Sequence, residues 1–236
     1  MDALPLEQQK HGFSLTAFDI KIWACIFMLI DHIGFFFFPD QIIFRMIGRL
    51  CFPLFAFMIA NGFFFTHNRL KYLLRLAIFG TVIQIPYWLF FTDNTLNIFF
   101  TLSLGLASIW LWDSGKKQGP ALAFLLVAAC AVAAELIHAD YGAYGVLLIF
   151  FAYLFFNNMP KLVWSWVIIN IADFLIKYFL VAGGAYNFIN YIQPLALLSL
   201  LFLHKYNRKE GVKAPLLFYI FYPAHLGALY LISLFI

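Results

Sequence analysis

At 236 residues the chain is 64% hydrophobic and only 11% charged, with 31 Phe, against roughly 45–50% apolar and about 25% charged residues in soluble domains. A water-soluble fold cannot hide that much apolar surface, so the composition excludes a soluble globular domain, and no nucleic-acid partner is expected. Fifteen Lys and Arg against eleven Asp and Glu leave a formal charge of +4, but in a membrane protein the position of each charge reports topology before it reports partners.

Residues 1–12 are polar and include Pro5, Glu7 and Lys10, unlike the basic leader of a signal peptide. No small-residue cleavage site follows the first apolar run, so that run is expected to remain as a membrane helix. Apolar runs of about 20 residues then recur along the chain, each long enough at ~1.5 Å per residue to cross a ~30 Å hydrocarbon core. The expected helices cover 17–38, 42–65, 70–91, 97–112, 120–137, 143–157, 161–181, 189–204 and 216–235. Turn-forming residues separate them at 39–40, 93–94, 115–120, 140–142, 157–160, 183–184 and 207–215. The sequence thus predicts an all-α polytopic bundle of about nine transmembrane helices, one membrane domain over 1–236 with a polar segment at 1–16. The fourth and sixth helices are short for a full crossing, so eight to ten spans, or a re-entrant element, also fit.

Alternate loops segregate charge. Lys10, then Arg69 and Lys71, then Lys116 and Lys117, then Lys161, then Lys205, Arg208, Lys209 and Lys213 fall on one side, and Asp40, Asp93, Glu135 and Asp140 on the other. By the positive-inside rule this predicts an N-in, C-out bundle with an odd number of spans. Cys25, Cys51 and Cys130 are odd in number and lie inside apolar segments; they read as packed thiols, and neither a disulfide framework nor a metal site is expected. The phenylalanine cluster at 35–38 is expected to face lipid.

Polar residues inside these apolar runs are the functional clue, because an ionisable side chain there costs at least ~2.5 kcal/mol to insert and is rarely retained unless it pairs, faces the bundle interior or does chemistry. Asp31 and His32 are adjacent in the first helix. His32 lies 11 residues beyond Lys21, about 17 Å in at helical rise. His225 lies 12 residues beyond Lys213, Asp173 12 beyond Lys161 and Gln84 13 beyond Lys71, hence about 18, 18 and 20 Å in. Arg49 comes nine residues after Asp40, so it too falls about 17 Å from the inner edge. Five helices therefore aim polar side chains at one layer. Singly, each has a plainer reading: Arg49 neutralising Asp31, or a lone histidine hydrogen-bonded in a core. Neighbours on a helix point about 100° apart, so Asp31 is expected to pair with Arg49 while His32 faces a cavity. Histidine suits general-base work there, since its unperturbed pKa is near ~6.5 and desolvation favours the neutral, proton-accepting form. Arg49 would steady a carbonyl oxygen or a phosphate.

The segments FDIKIWACIFMLIDHIG at 18–34 and GRLCFPLFAFMIANGFFFT at 48–66 resemble the opening of the TraX family, and YLLRL at 72–76, NIFFTLSLG at 97–105, DYGAYGV at 140–146 and FYIFYPAHL at 218–226 follow in the family's order. The resemblance spans nearly the whole chain. It implies a bacterial inner-membrane acetyltransferase: the family is named for a conjugation protein that acetylates the N-terminus of a pilin subunit, and is similar to a wider group of multi-pass acyltransferases that draw acyl-CoA from the cytoplasm and use an intramembrane histidine. It makes His32 the catalytic candidate, with Asp31, Arg49, Tyr222 and His225 in the family's other motifs as site residues, and acetyl-CoA as donor. Arg69, Lys71 and Arg75, with Lys205, Arg208 and Lys209, would then meet the phosphates of coenzyme A; their plainer reading is the positive-inside rule, from which Arg75 is set apart by lying a turn inside the third helix. Asp140, Tyr141 and Tyr144 are candidates for an acceptor entrance, although a solvated loop explains them equally well. The acceptor is left open among a pilin-like peptide, a glycan and a membrane lipid. A small proton-coupled transporter and a non-catalytic membrane scaffold remain alternatives, the first disfavoured by the lack of a repeat and of matched broken helices, the second by the polar layer.

Overall fold

The computed structural model describes residues 13–91, 94–181 and 191–235; the expectations that rest on Lys10, Asp93 and the turn at 183–184 lie outside them. The described chain is helical, with two isolated bridges, Leu15 with Tyr206 and Leu96 with Ala139. Ten α-helices follow in order: α1 Ala17–Phe37, α2 Ile42–Gly48, α3 Cys51–Phe65, α4 Arg69–Phe90, α5 Ile98–Gly115, α6 Pro120–Leu136, α7 Gly142–Leu154, α8 Met159–Ile176, α9 Leu200–His204 and α10 Pro215–Ser233. A π turn, Lys177–Val181, extends α8, and a 3-10 segment, Gln193–Ser199, runs into α9.

Short polar side chains set the helix starts. Thr16 and Asp19 form a reciprocal capping box at α1, and the side chains of Asn68, Asn97 and Asn158 accept from the first-turn N–H groups of α4, α5 and α8, each worth about 1 kcal/mol against Ala. Proline opens α6, α8 and α10, where its missing N–H is lost on no partner.

Among the described residues, six stretches are long and apolar enough to cross a membrane: Ala17–Phe37, Ile42–Phe65, Arg69–Phe90, Ile98–Gly115, Met159–Phe179 and Leu216–Ser233. Pro120–Leu136, Gly142–Leu154 and Gln193–His204 are shorter apolar helices. These nine apolar segments are the expected ones, with three differences, the first being that the eighth is 3-10 over Gln193–Ser199 and α-helical only at Leu200–His204. The fourth segment is a full-length helix of 18 residues, running past its expected end at 112 through Asp113 and Ser114 to Gly115. The second is not continuous: Arg49 and Leu50 interrupt it, and the Leu50 N–H bonds Ile47 O, three residues back, at 3.1 Å. Pro53 explains the break, since it has no N–H to offer the carbonyl of Arg49.

The loops gather at two ends. At the basic end, the segment around 205–210 straps the entrance of α1: Lys209 O and Glu210 O accept from the otherwise unbonded N–H groups of Ala17 and Phe18 at 2.8 and 3.0 Å. Arg208 donates to Asn157, and Arg69 and Lys116 both bond Asp113 at 2.7 Å. At the opposite, acidic end, Leu96 exchanges backbone bonds with His138 and Asp140, while Phe91 packs on Phe35 and Phe36. The core between the ends is built on Phe52, Leu54, Leu106, Ile149, Trp166 and Leu226, all essentially without solvent exposure. Phe35 and Phe38 are exposed on the bundle's flank, whereas Phe36 is half-buried against the core, so the cluster at 35–38 faces lipid only in part. Ile78, Val82, Ile85 and Leu89 are exposed along one flank of α4, a stripe suited to hydrocarbon.

Candidate functional site

A cavity of about 560 Å³ runs from the basic end into the bundle between α1, α3, α4, α5 and α10. On α1 it is lined by Ala17, Lys21 and Met28, spaced so that they share one helix face; His32 is the next residue of that series, one turn beyond Met28. On α10, Phe218, Tyr219 and Tyr222 line the same cavity, and His225 follows Tyr222 by three residues on that face. The two helices place their histidines together: His32 Nδ1 and His225 Nε2 are 2.7 Å apart. Tyr222, buried, lies with its ring 5.8 Å from His225 and edge-on to Phe99 at 5.3 Å, and so joins the cavity wall to the histidine pair. His32 thus stands one turn beyond the cavity wall, not directly on it.

The cavity's mouth is cationic. Lys21 Nζ lies 5.3 Å from the Phe218 ring, and the Arg75 guanidinium 5.5 and 5.6 Å from the rings of Tyr72 and Tyr219. Among the described residues neither Lys21 nor Arg75 forms an ion pair; Glu210, which also lines the cavity, is 3.7 Å from Lys213. Arg208 lines the mouth as well, as does Tyr206, whose hydroxyl donates to Asn61 at 2.8 Å and whose pKa burial pushes up to about 12. Lys21 lies within electrostatic reach both of Arg75, which repels it, and of Glu210, which attracts it. Of the basic residues expected to meet phosphates, Arg75 and Arg208 are at the cavity. Arg69 is spent on Asp113 and on the face of Phe63, 4.2 Å away. Lys71, Lys205 and Lys209 are exposed at the basic end and do not line it. Lys21 was missed by the sequence reading, although it sits one turn inside its helix just as Arg75 does.

Asp31 does not pair with Arg49. Its carboxylate binds Arg45 at 2.6 Å, one turn earlier on α2, because Gly48 leaves no side chain where Asp31 lies and α2 packs closely on α1; a Cβ at 48 would overlap the carboxylate. Arg45 and Arg49 share a helix face, so spacing alone could not choose between them. Arg49, at the break between α2 and α3, donates to Gln193 Oε1 at 3.4 Å and lies within electrostatic reach of Asp31, Asp140, Tyr141 and Tyr144. Gln193 in turn donates to the Tyr144 hydroxyl at 3.1 Å, and Tyr144 to Asn170 at 3.4 Å. Asp173 stands beside this network, bonded to Lys177 at 2.8 Å and to the Tyr191 hydroxyl at 2.5 Å. Tyr141 stacks on Phe52 with centroids 4.0 Å apart, and the Asp140 carbonyl accepts from Thr101.

Gln84 has a different task. Its side chain accepts from the backbone and side-chain N–H groups of Asn97 at 2.9 and 2.8 Å and donates to Thr95 O at 3.1 Å, which staples α4 to the entrance of α5. The expected layer of five therefore divides in three: His32 with His225 above the cavity, Arg49 and Asp173 along one network, and Gln84 in a structural staple.

The chain is 28% identical over 239 residues to a probable fimbrial assembly protein, FimC of serogroup H1, from Dichelobacter nodosus, covering 93% of this chain and 96% of that one. It is 34% identical over 92 residues to an uncharacterized protein of Rickettsia prowazekii, covering 39% of this chain and 35% of that one. No solved structure matches it significantly. The family described as TraX protein matches residues 17–233, the span from the first turn of α1 to the end of α10, and the chain belongs to that family.

Proposed function

We propose that this membrane protein is an acyltransferase that moves acetyl from cytoplasmic acetyl-CoA to an amine or hydroxyl of an acceptor on the envelope side or within the membrane, with His32 as general base. The observation that carries this reading is the cavity, lined at its mouth by Lys21 and Arg75, which form no salt bridge among the described residues, that ends one helical turn short of a histidine pair. The cations suit the phosphates of coenzyme A through charge-assisted bonds, and the apolar walls of Met28, Phe55 and Leu76 suit its arm.

In the reaction His32 takes the proton from the acceptor N–H or O–H as that atom bonds to the thioester carbonyl carbon. The carbon–sulfur bond breaks, sulfur keeps the electron pair, and His32 returns the proton to it. Arg49, with Asp140 and Tyr141 at the acidic end, is assigned to the acceptor side. The basic end then faces the cytoplasm, giving an N-in, C-out protein of the bacterial inner membrane that acts as a single domain. A pilin-like peptide is the favoured acceptor, supported by the fimbrial assembly role in the name of the Dichelobacter relative.

The test is a thermal-shift titration of detergent-purified protein with acetyl-CoA, free CoA and ATP. A ligand of the folded state at 100 times its Kd stabilises it by about 2.7 kcal/mol. Stabilisation by acetyl-CoA and CoA but not by ATP supports the donor; no shift up to millimolar coenzyme overturns it.

A further inference from the structure

We infer that His225 is a positioning residue that fixes the tautomer of His32, so that Nε2 is the nitrogen that accepts the proton; this rests on the acyltransferase reading for its chemistry but not for its geometry. The inference starts from a backbone carbonyl. His225 Nδ1 lies 2.7 Å from Phe221 O, one turn back on α10, and a carbonyl only accepts, so His225 carries its proton on Nδ1. In the neutral ring Nε2 is then bare. That bare nitrogen is the one 2.7 Å from His32 Nδ1, so His32 must be the donor and its own proton sits on Nδ1. The ring centroids are 5.0 Å apart with planes only 21° from parallel. Combined with the 2.7 Å nitrogen separation, this puts the rings edge to edge near one plane, the geometry of an N–H to N bond and not of face-to-face stacking.

One carbonyl therefore propagates a choice through two imidazoles. Phe221 O orients His225, His225 orients His32, and the lone pair of His32 is left on Nε2, the edge away from His225. When Nε2 takes a proton, the resulting imidazolium still has its Nδ1–H bonded to a neutral acceptor, so the charge is stabilised without a carboxylate in contact with the ring. This differs from a histidine oriented by an acid, and it suits a site deep in the bundle where an extra buried carboxylate would be costly.

The experiment uses ¹⁵N-histidine-labelled full-length protein in detergent micelles, with His32 assigned by comparison with His32→Ala, and reads which ring nitrogen is protonated. Protonated Nδ1 and bare Nε2 at His32 in the unsubstituted protein are expected, and the reverse overturns the inference whether or not any acyl transfer is seen. In His225→Leu the preference at His32 should be lost and acetyl transfer should fall up to about 10⁴-fold, as when a catalytic histidine loses its orienting partner. His225→Gln offers an oxygen to the same Nδ1–H and should recover at least ten-fold over His225→Leu. Equal transfer by both variants and the unsubstituted protein overturns the positioning role. The expected tautomer with no coenzyme binding by the same protein would leave the histidine geometry standing and remove the acyltransferase reading instead.

Discussion

The two polar regions of this bundle handle charge in opposite ways. Around Arg49, toward the acidic end, charged and amide groups are joined to one another: Asp31 to Arg45, Arg49 to Gln193, Gln193 to Tyr144, Asp173 to Lys177 and Tyr191. Around the cavity, Lys21 and Arg75 have aromatic rings beside them and, among the described residues, no salt bridge, with the Glu210 carboxylate within electrostatic reach of Lys21, while the two histidines beyond them bond to each other. Paired groups in a low-dielectric interior hold helices in register, and removing one leaves the other stranded. Cations left with open space beside them are arranged for something that arrives from outside. The contrast makes the first region mostly scaffold, apart from Arg49, the group proposed for the acceptor, whose buried Nε has no hydrogen-bond partner among the described residues, and the second mostly site.

The sharpest way to break that division is His32→Ala. Loss of the base should lower acetyl transfer 10²–10⁴-fold while the thermal shift given by acetyl-CoA persists, since the cations that hold it are untouched; unchanged transfer would remove His32 from the chemistry. Asp31→Ala acts on the scaffold. It strands Arg45 and should destabilise the protein by about 2 kcal/mol in a denaturation series, less than the 3–5 kcal/mol of a fully buried pair because the Arg45 side chain is 35% exposed. Arg75→Gln should weaken acetyl-CoA binding about ten-fold, as befits one charge-assisted contact, with little change in the melting temperature of the free protein. Lys71→Ala, four residues earlier on the same helix but outside the cavity, should change neither the free energy of acetyl-CoA binding nor that of unfolding by more than about 0.5 kcal/mol. Equal effects of the last two substitutions would mean that the basic end acts through its overall charge and not through the cavity.

Much of this was legible in the sequence because the membrane imposes simple rules. The nine apolar segments follow from length and hydropathy, and the grouping of basic loops at one end follows from charge alternation. Histidine depth follows from helical rise, and His32 and His225 do meet. Arg75 was separable from its neighbours by lying inside its helix, a criterion that would also have found Lys21. The pairing of Asp31 was not legible, since Arg45 and Arg49 occupy the same face and the choice depends on how closely Gly48 lets α2 approach α1. Nor was the work of Gln84, whose depth matched the others but whose amide is consumed by Asn97, a residue of the next loop.

What the sequence by itself determined is therefore the solvent this protein lives in, its segments, and the depth of each polar group, because these depend only on counting residues along helices. Which of those groups touch was decided by rotation and approach of the helices about one another. That in turn depends on a proline that interrupts one helix, a glycine that admits a carboxylate, and a backbone carbonyl of α10 that orients a pair of imidazoles, none of which has a signature in local composition.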